Sequence, residues 1–226
     1  MKYGNVVRGE FVSRPNRFIA NVIIDGSPAV AHVKNTGRCK ELLLPGAEVY
    51  LEKPDNPQRK TEYDLIAVRK SNGLLINIDS QAPNKAVREW LDQQPFDLIR
   101  PEYIYGNSRI DFHLEKGNRR YLLEVKGCTL EKDGIGYFPD APTERGAKHL
   151  RELKKAVSEG YLAAVAFVIQ MDGISEVRPN SETDPEFAKA LEEAKESGVA
   201  ELFLMCHAEP DSLNIFKQKG SFCNEE

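Results

Sequence analysis

The sequence predicts two joined architectures, an all-β half over residues 1–80 and an α/β half over residues 81–226. Three observations predict this. The first 80 residues hold six short apolar runs separated by Gly, Pro, Asn and Asp. Beyond residue 84, helical and strand periodicities alternate. Residues 161–171 are almost wholly apolar, as a strand buried on both faces requires.

In the first half, strands are predicted over residues 5–12, 18–24, 28–33, 47–52, 63–70 and 74–78. Five or six short strands in this length fit a small barrel such as an OB-fold. Arg14, Arg17, Lys34 and Arg38 are the candidate nucleic-acid contacts, interleaved with Phe11, Phe18 and Asn35. Arginine or lysine on phosphate and an aromatic ring under a base is how such barrels hold single strands. The competing reading makes Phe11 and Phe18 core residues. Residues 80–83 are the expected junction.

In the second half, residues 84–91 predict a short helix, with Asn84 as N-cap after Pro83 and Ala86, Val87, Trp90 and Leu91 as its apolar stripe. Strand material follows at 96–105, 109–114 and 121–126. A Gly-rich passage spans 127–136. Residues 143–159 predict a helix capped by Thr143, and Gly160 stops it. After the strand at 161–171, residues 184–197 form another helix, with Pro185 in its first turn. Residues 199–206 give a last buried strand. The order is helix, three strands, helix, strand, helix, strand.

The chemistry concentrates at Asp111, Glu124 and Lys126. A turn at 116–119 pairs 115 with 120, which sets Asp111 opposite Glu124. Opposed residues lie about 5 Å apart at Cβ. Glu124 and Lys126, two apart, share a face. Two carboxylates so close repel unless a cation neutralises them, and hard oxygen ligands suit Mg²⁺ or Mn²⁺. The bland alternative is a solvated charge cluster. Glu89, Arg145 and His149 are accessory candidates: Glu89 on the first helix, where the competing reading is an exposed helix residue, and Arg145 and His149 one turn apart on the second, where the competing reading makes His149 a satisfied interior histidine.

The element order, with acidic residues on the second and third strands, resembles the PD-(D/E)XK nuclease core. The whole chain resembles the sugar fermentation stimulation protein A family. The residues that carry this are 32–39 (His-Val-Lys-Asn-Thr-Gly-Arg-Cys), 43–46 (Leu-Leu-Pro-Gly), 109–112 (Arg-Ile-Asp-Phe), 124–127 (Glu-Val-Lys-Gly) and 138–146 (Phe-Pro-Asp-Ala-Pro-Thr-Glu-Arg-Gly). The resemblance implies an OB-like barrel joined to a PD-(D/E)XK domain, and DNA binding. It makes Asp111 and Glu124 metal ligands and Lys126 the catalytic lysine. It leaves two readings open: a metal-dependent nuclease, or a non-catalytic DNA-binding regulator of sugar-metabolism genes. Where that superfamily often has Pro before the first acidic residue, this chain has Ile110.

Composition agrees with an ordinary globular protein, 41% apolar and 29% charged over 226 residues. No apolar run reaches membrane-spanning length, and residues 1–20 lack a signal-peptide pattern. Cys39, Cys128, Cys206 and Cys223 are far apart, which opposes a zinc site and favours reduced thiols in a cytoplasm. Net charge is −4, but residues 1–80 carry 12 Lys and Arg against 9 Asp and Glu, so the basic half supplies phosphate attraction. DNA is the expected partner, with RNA and a homodimer left open. Residues 221–226 are expected to fray.

Overall fold

Each Gly- or Asn-rich break in the first half reverses the chain. The computed structural model describes residues 1–35, 37–56 and 58–222. Its first half forms β1 (Asn5–Asn16), β2 (Ile19–Ile24), β3 (Ser27–Val33), β4 (Glu48–Lys53), β5 (Tyr63–Arg69) and β6 (Leu75–Asn77). Asp25 and Gly26, with φ of 49° and 77°, make the tight β2–β3 turn, whose twist needs left-handed residues. The β1–β2 register shifts after Phe11 and again after Ser13, which bends β1 so that it serves both β2 and β4. β3 then pairs parallel to β5 and closes a five-stranded OB barrel. Phe11, Val22, Val33, Val49 and Leu65 fill it. Phe11 is therefore core, whereas Phe18 stays 50% exposed.

The second half comprises α1 (Ala82–Leu91), β7 (Leu98–Tyr105), β8 (Ser108–Lys116), β9 (Arg119–Cys128), β10 (Leu130–Lys132), β11 (Ile135–Phe138), α2 (Glu144–Ser158), β12 (Leu162–Ile169), β13 (Val177–Pro179), α3 (Pro185–Glu196), β14 (Ala200–Glu209) and β15 (Ser212–Lys219). The main sheet runs β15-β14-β12-β9-β8-β7. It is mixed: β9, β12 and β14 are parallel, and β7, β8 and β15 are antiparallel to their neighbours. The parallel strands need crossovers, which α2 and α3 supply. One face packs Leu122 and Phe167 against Leu150, Leu153 and Phe187 of these helices. The other packs Phe112, Leu123 and Val125 against Ala86, Val87 and Leu91 of α1. With helices on both faces, Tyr121 to Val125 of β9 are all buried.

Three features depart from the sequence reading. The Gly-rich passage holds β10 and β11, which join β13 in a small separate sheet; strands of three or four residues are too short to show a period. β15, polar and mostly exposed, adds an edge strand. Residues 1–3 leave the barrel and pair with the start of β15, Leu213 N–H donating to Met1 O at 3.0 Å and Tyr3 N–H to Asp211 O at 2.7 Å. At the terminus, Phe222 packs edge-on to Phe96 and Tyr121, so order extends to that ring; the rest of the segment expected to fray, 223–226, lies outside the described residues. Cys39, Cys128 and Cys206 are buried thiols, and Cys223 lies outside those residues too. No helix among them is long and apolar enough to cross a membrane.

The two halves share one apolar cluster, in which Ile76 and Ile78 meet Met171 and Cys128. Gln170 ties them. It is 1% exposed, and its Nε2 donates to Asn77 O (3.0 Å), Asn77 Oδ1 (3.1 Å) and Asp79 O (3.1 Å). Gln170→Ala should lower unfolding stability by about 1–3 kcal/mol, because buried acceptors lose their donor. Urea denaturation reads this, and an unchanged midpoint would show that the tether contributes nothing.

Candidate functional site

The β8–β9 turn decides which side chains meet. Gly117, with φ of 58°, allows a two-residue connection, shorter than the turn expected because both strands run further. The register is the predicted one: Glu115 pairs with Arg120 and Phe112 with Leu123. Beyond Phe112 the ladder stops. The Asp111 carboxylate reaches across instead, its Oδ2 accepting the Val125 N–H at 2.7 Å. Its Oδ1 accepts from Asn84 Nδ2 at 2.7 Å. Asn84 is thus not the N-cap. α1 starts earlier, with Gln81 at the cap and Pro83 in the first turn, which turns the Asn84 amide toward the site.

Glu124 is 2% exposed. Its Oε1 accepts from Lys126 Nζ at 2.6 Å and from His149 Nδ1 on α2. His149 Nε2 accepts from Arg145 Nε at 3.4 Å. This chain orients the His149 ring, with Nδ1 toward Glu124 and Nε2 toward Arg145. The Thr143 hydroxyl caps α2 by accepting the Gly146 N–H at 3.0 Å, which seats the helix that carries both residues. Arg145 and His149 therefore join the cluster. Glu89 does not. It is 60% exposed on its side chain and pairs with the Met1 amino group at 2.7 Å. Five residues beyond Asn84, it points about 140° around the helix from it.

Electrostatics at this cluster are strained. Burial, then the nearby Glu124 carboxylate, raise the pKa of Asp111 above the ordinary carboxylate range. Burial pushes Glu124 the same way, but Lys126 and His149 outweigh it and hold its pKa below the ordinary value. Glu124 Oε2 is fully buried and has no hydrogen-bond partner. An orphaned carboxylate oxygen near a second, repelled carboxylate fits a divalent cation. Among the described residues no three His, Cys, Asp or Glu side chains form a full cage. A cation here would rest on two carboxylates and complete its shell with carbonyl, water or phosphate oxygens, as Mg²⁺ prefers.

Of the four nucleic-acid candidates, two have other work. Lys34 Nζ lies 3.1 Å from Asp64, 3.3 Å from Glu52 and 3.5 Å from Asp79; burial lowers its pKa, yet these carboxylates outweigh that and hold it raised. It is an internal counter-ion, not a phosphate contact. Arg14 spends its guanidinium on carbonyls, those of Gly37, Arg38, Arg17 and Asn35, at 2.7–2.9 Å. It shapes the 35–38 loop; Thr36, within it, lies outside the described residues. Arg17 and Arg38 are exposed and line a cavity of about 800 Å³ between the two halves. Gly127, just beyond Lys126, and Thr143 line its other wall. Arg14→Ala should cost about 2 kcal/mol of stability by breaking that carbonyl clamp, whereas Arg17→Ala stays within about 0.5 kcal/mol. Thermal unfolding separates them; equal effects would refute the distinction.

Comparison with known proteins places this geometry. Residues 12–78 match the model of the SfsA N-terminal OB domain, and residues 81–212 that of the Sugar fermentation stimulation protein RE domain. The sugar fermentation stimulation protein homolog of Desulfitobacterium hafniense (strain DSM 10664 / DCB-2) is 54% identical over 216 residues, 94% of each chain. That of Clostridium beijerinckii is 53% identical over 219 residues, 95% of this chain and 96% of its own. The solved structure of Pyrococcus furiosus SfsA in complex with Ca²⁺ is 28% identical, with a TM-score of 0.85 over 96% of each chain.

Proposed function

The chain belongs to the sugar fermentation stimulation protein family, and from that premise we propose that it binds DNA and cleaves phosphodiester bonds at Asp111, Glu124 and Lys126 with a divalent cation. The observation that carries the reading is the orphaned Glu124 Oε2, buried beside an Asp111 whose carboxyl is pushed up by burial and then by its neighbour. Proteins rarely leave such a group unpaired unless something else completes it. The Pyrococcus furiosus relative was solved with Ca²⁺, an ion that also takes hard oxygen ligands.

Asp111 and Glu124 would hold Mg²⁺ or Mn²⁺, with the backbone carbonyl near Val125 as a further oxygen donor. When bound, the ion neutralises phosphate charge and lowers the pKa of its water. The protein's own groups do the rest. Val125 N–H and Asn84 fix the Asp111 carboxylate in place. His149, steadied by Arg145, fixes Glu124. Lys126 Nζ, now on Glu124, is the cation left to meet negative charge as it builds on the phosphate oxygens.

The test is cleavage of labelled DNA and RNA, single- and double-stranded, with Mg²⁺, Mn²⁺ or EDTA. Wild type should give metal-dependent products. Asp111→Ala and Lys126→Ala, folded by circular dichroism, should lose about 100-fold or more of that rate. Folded wild type that cuts nothing, yet binds DNA in a salt-sensitive way along with both variants, would make the protein a binding regulator instead.

A further inference from the structure

We propose that the cavity between barrel and mixed sheet seats one or two nucleotides of a single strand and leads it to the Glu124–Lys126 site. This rests on the nucleic-acid reading above and adds the substrate class: unpaired strand, not intact duplex.

The first support is where uncommitted positive charge collects. Residues 1–80 hold 12 lysines and arginines. Eight of them are engaged with carboxylates or carbonyls: Lys2, Arg8, Lys34, Lys53, Arg59, Arg69 and Lys70 in ion pairs, and Arg14 in its clamp. Arg17, Arg38, Lys40 and Lys60 make no hydrogen bond or ion pair through their side chains among the described residues. Three of these four line the one cavity. Cations left unpaired and gathered on one wall are what phosphate binding requires. The single carboxylate among the lining residues, Asp140, is tucked beneath the loop. A Cβ on Gly37 would overlap it, its Oδ2 is fully buried, and burial raises its pKa, with Arg14 and Arg38 pulling more weakly the other way.

Size and shape supply the second support. A volume of about 800 Å³ is that of a small-molecule site. It admits a nucleotide or two but not a duplex, whose major groove alone is about 12 Å wide. Phe18, next in the chain after the lining residue Arg17, is 50% exposed, with the Arg17 guanidinium 5.9 Å from its ring centre. An exposed ring beside an arginine is the stacking platform that unpaired bases use and paired bases cannot reach. The far wall brings the cavity beside β9. Gly127 lines the cavity and is the next residue after Lys126 on β9, about 3.3 Å along the strand.

The experiment is fluorescence anisotropy in EDTA, so that no cleavage intervenes, with a fluorescein-labelled 12-mer DNA strand, the same sequence in RNA, and the DNA duplex. Wild type should bind a single strand more tightly than the duplex. Arg38→Ala and Phe18→Ala should each weaken single-strand binding by about fivefold or more, with unchanged thermal unfolding. Lys60→Ala, outside the cavity, should bind as wild type. Duplex binding that equals or exceeds single-strand binding, or a Lys60→Ala loss as large as that of Arg38→Ala, would overturn the proposal. The two readings fail separately: cavity-dependent binding without metal-dependent cleavage removes only the nuclease, and cleavage indifferent to Arg38 and Phe18 removes only the cavity.

Discussion

Burying Glu124 on the central strand of the sheet is the constraint around which the rest of this half is arranged. At 2% exposure a carboxylate needs compensation, and each neighbouring element provides part of it. Lys126 comes from two residues along β9, His149 from α2, and Arg145 stands behind His149. Asp111 works against this balance, since a second, half-buried carboxylate beside the first raises the cost of charging it. It stays because Val125 N–H and Asn84 hydrogen-bond it. Such an arrangement is costly for folding alone, a cost that the proposed cation would offset.

The same logic joins the two halves. The strand that carries Glu124 passes through Gly127, one residue before its end, where a Cβ would overlap Gln170 and crowd Pro83. Only glycine lets β9 approach the Gln170 amide, which in turn holds Asn77 and Asp79 of the barrel's exit. Lys70 and Glu131 add an ion pair at 2.6 Å between the halves. The barrel is thereby held at a defined place beside the acidic cluster. Arg17 and Arg38 face the cavity because the Arg14 clamp and the contact of Gly37 with Asp140 set the loop between them.

Much of this was legible in the sequence, for identifiable reasons. The β8–β9 register followed from turn chemistry and from the period of two, so the meeting of Asp111 with Glu124 could be placed before any coordinates. The helices at 144–158 and 185–196 announced themselves by Thr143, Asp184 and Pro185. What could not be read is tertiary. Nothing local marks Lys34 as the centre of three carboxylates, or Arg14 as a loop clamp, because all their partners but the Arg17 carbonyl lie 18–45 residues away. Where α1 begins could not be read either: its cap is Gln81, not Asn84, and the exposed-helix reading of Glu89 is the one that holds. Asn84 was missed as a site residue for the same reason.

The claim everything leans on is that the Glu124–Asp111 pair is built for a cation. Titrating Mn²⁺ into wild type and Asp111→Ala, with free Mn²⁺ followed by electron paramagnetic resonance, tests it without any substrate or turnover. The account predicts stoichiometric Mn²⁺ uptake by wild type, lost or weakened at least about tenfold in Asp111→Ala. Equal uptake by both proteins, or none by a well-folded wild type, would contradict it.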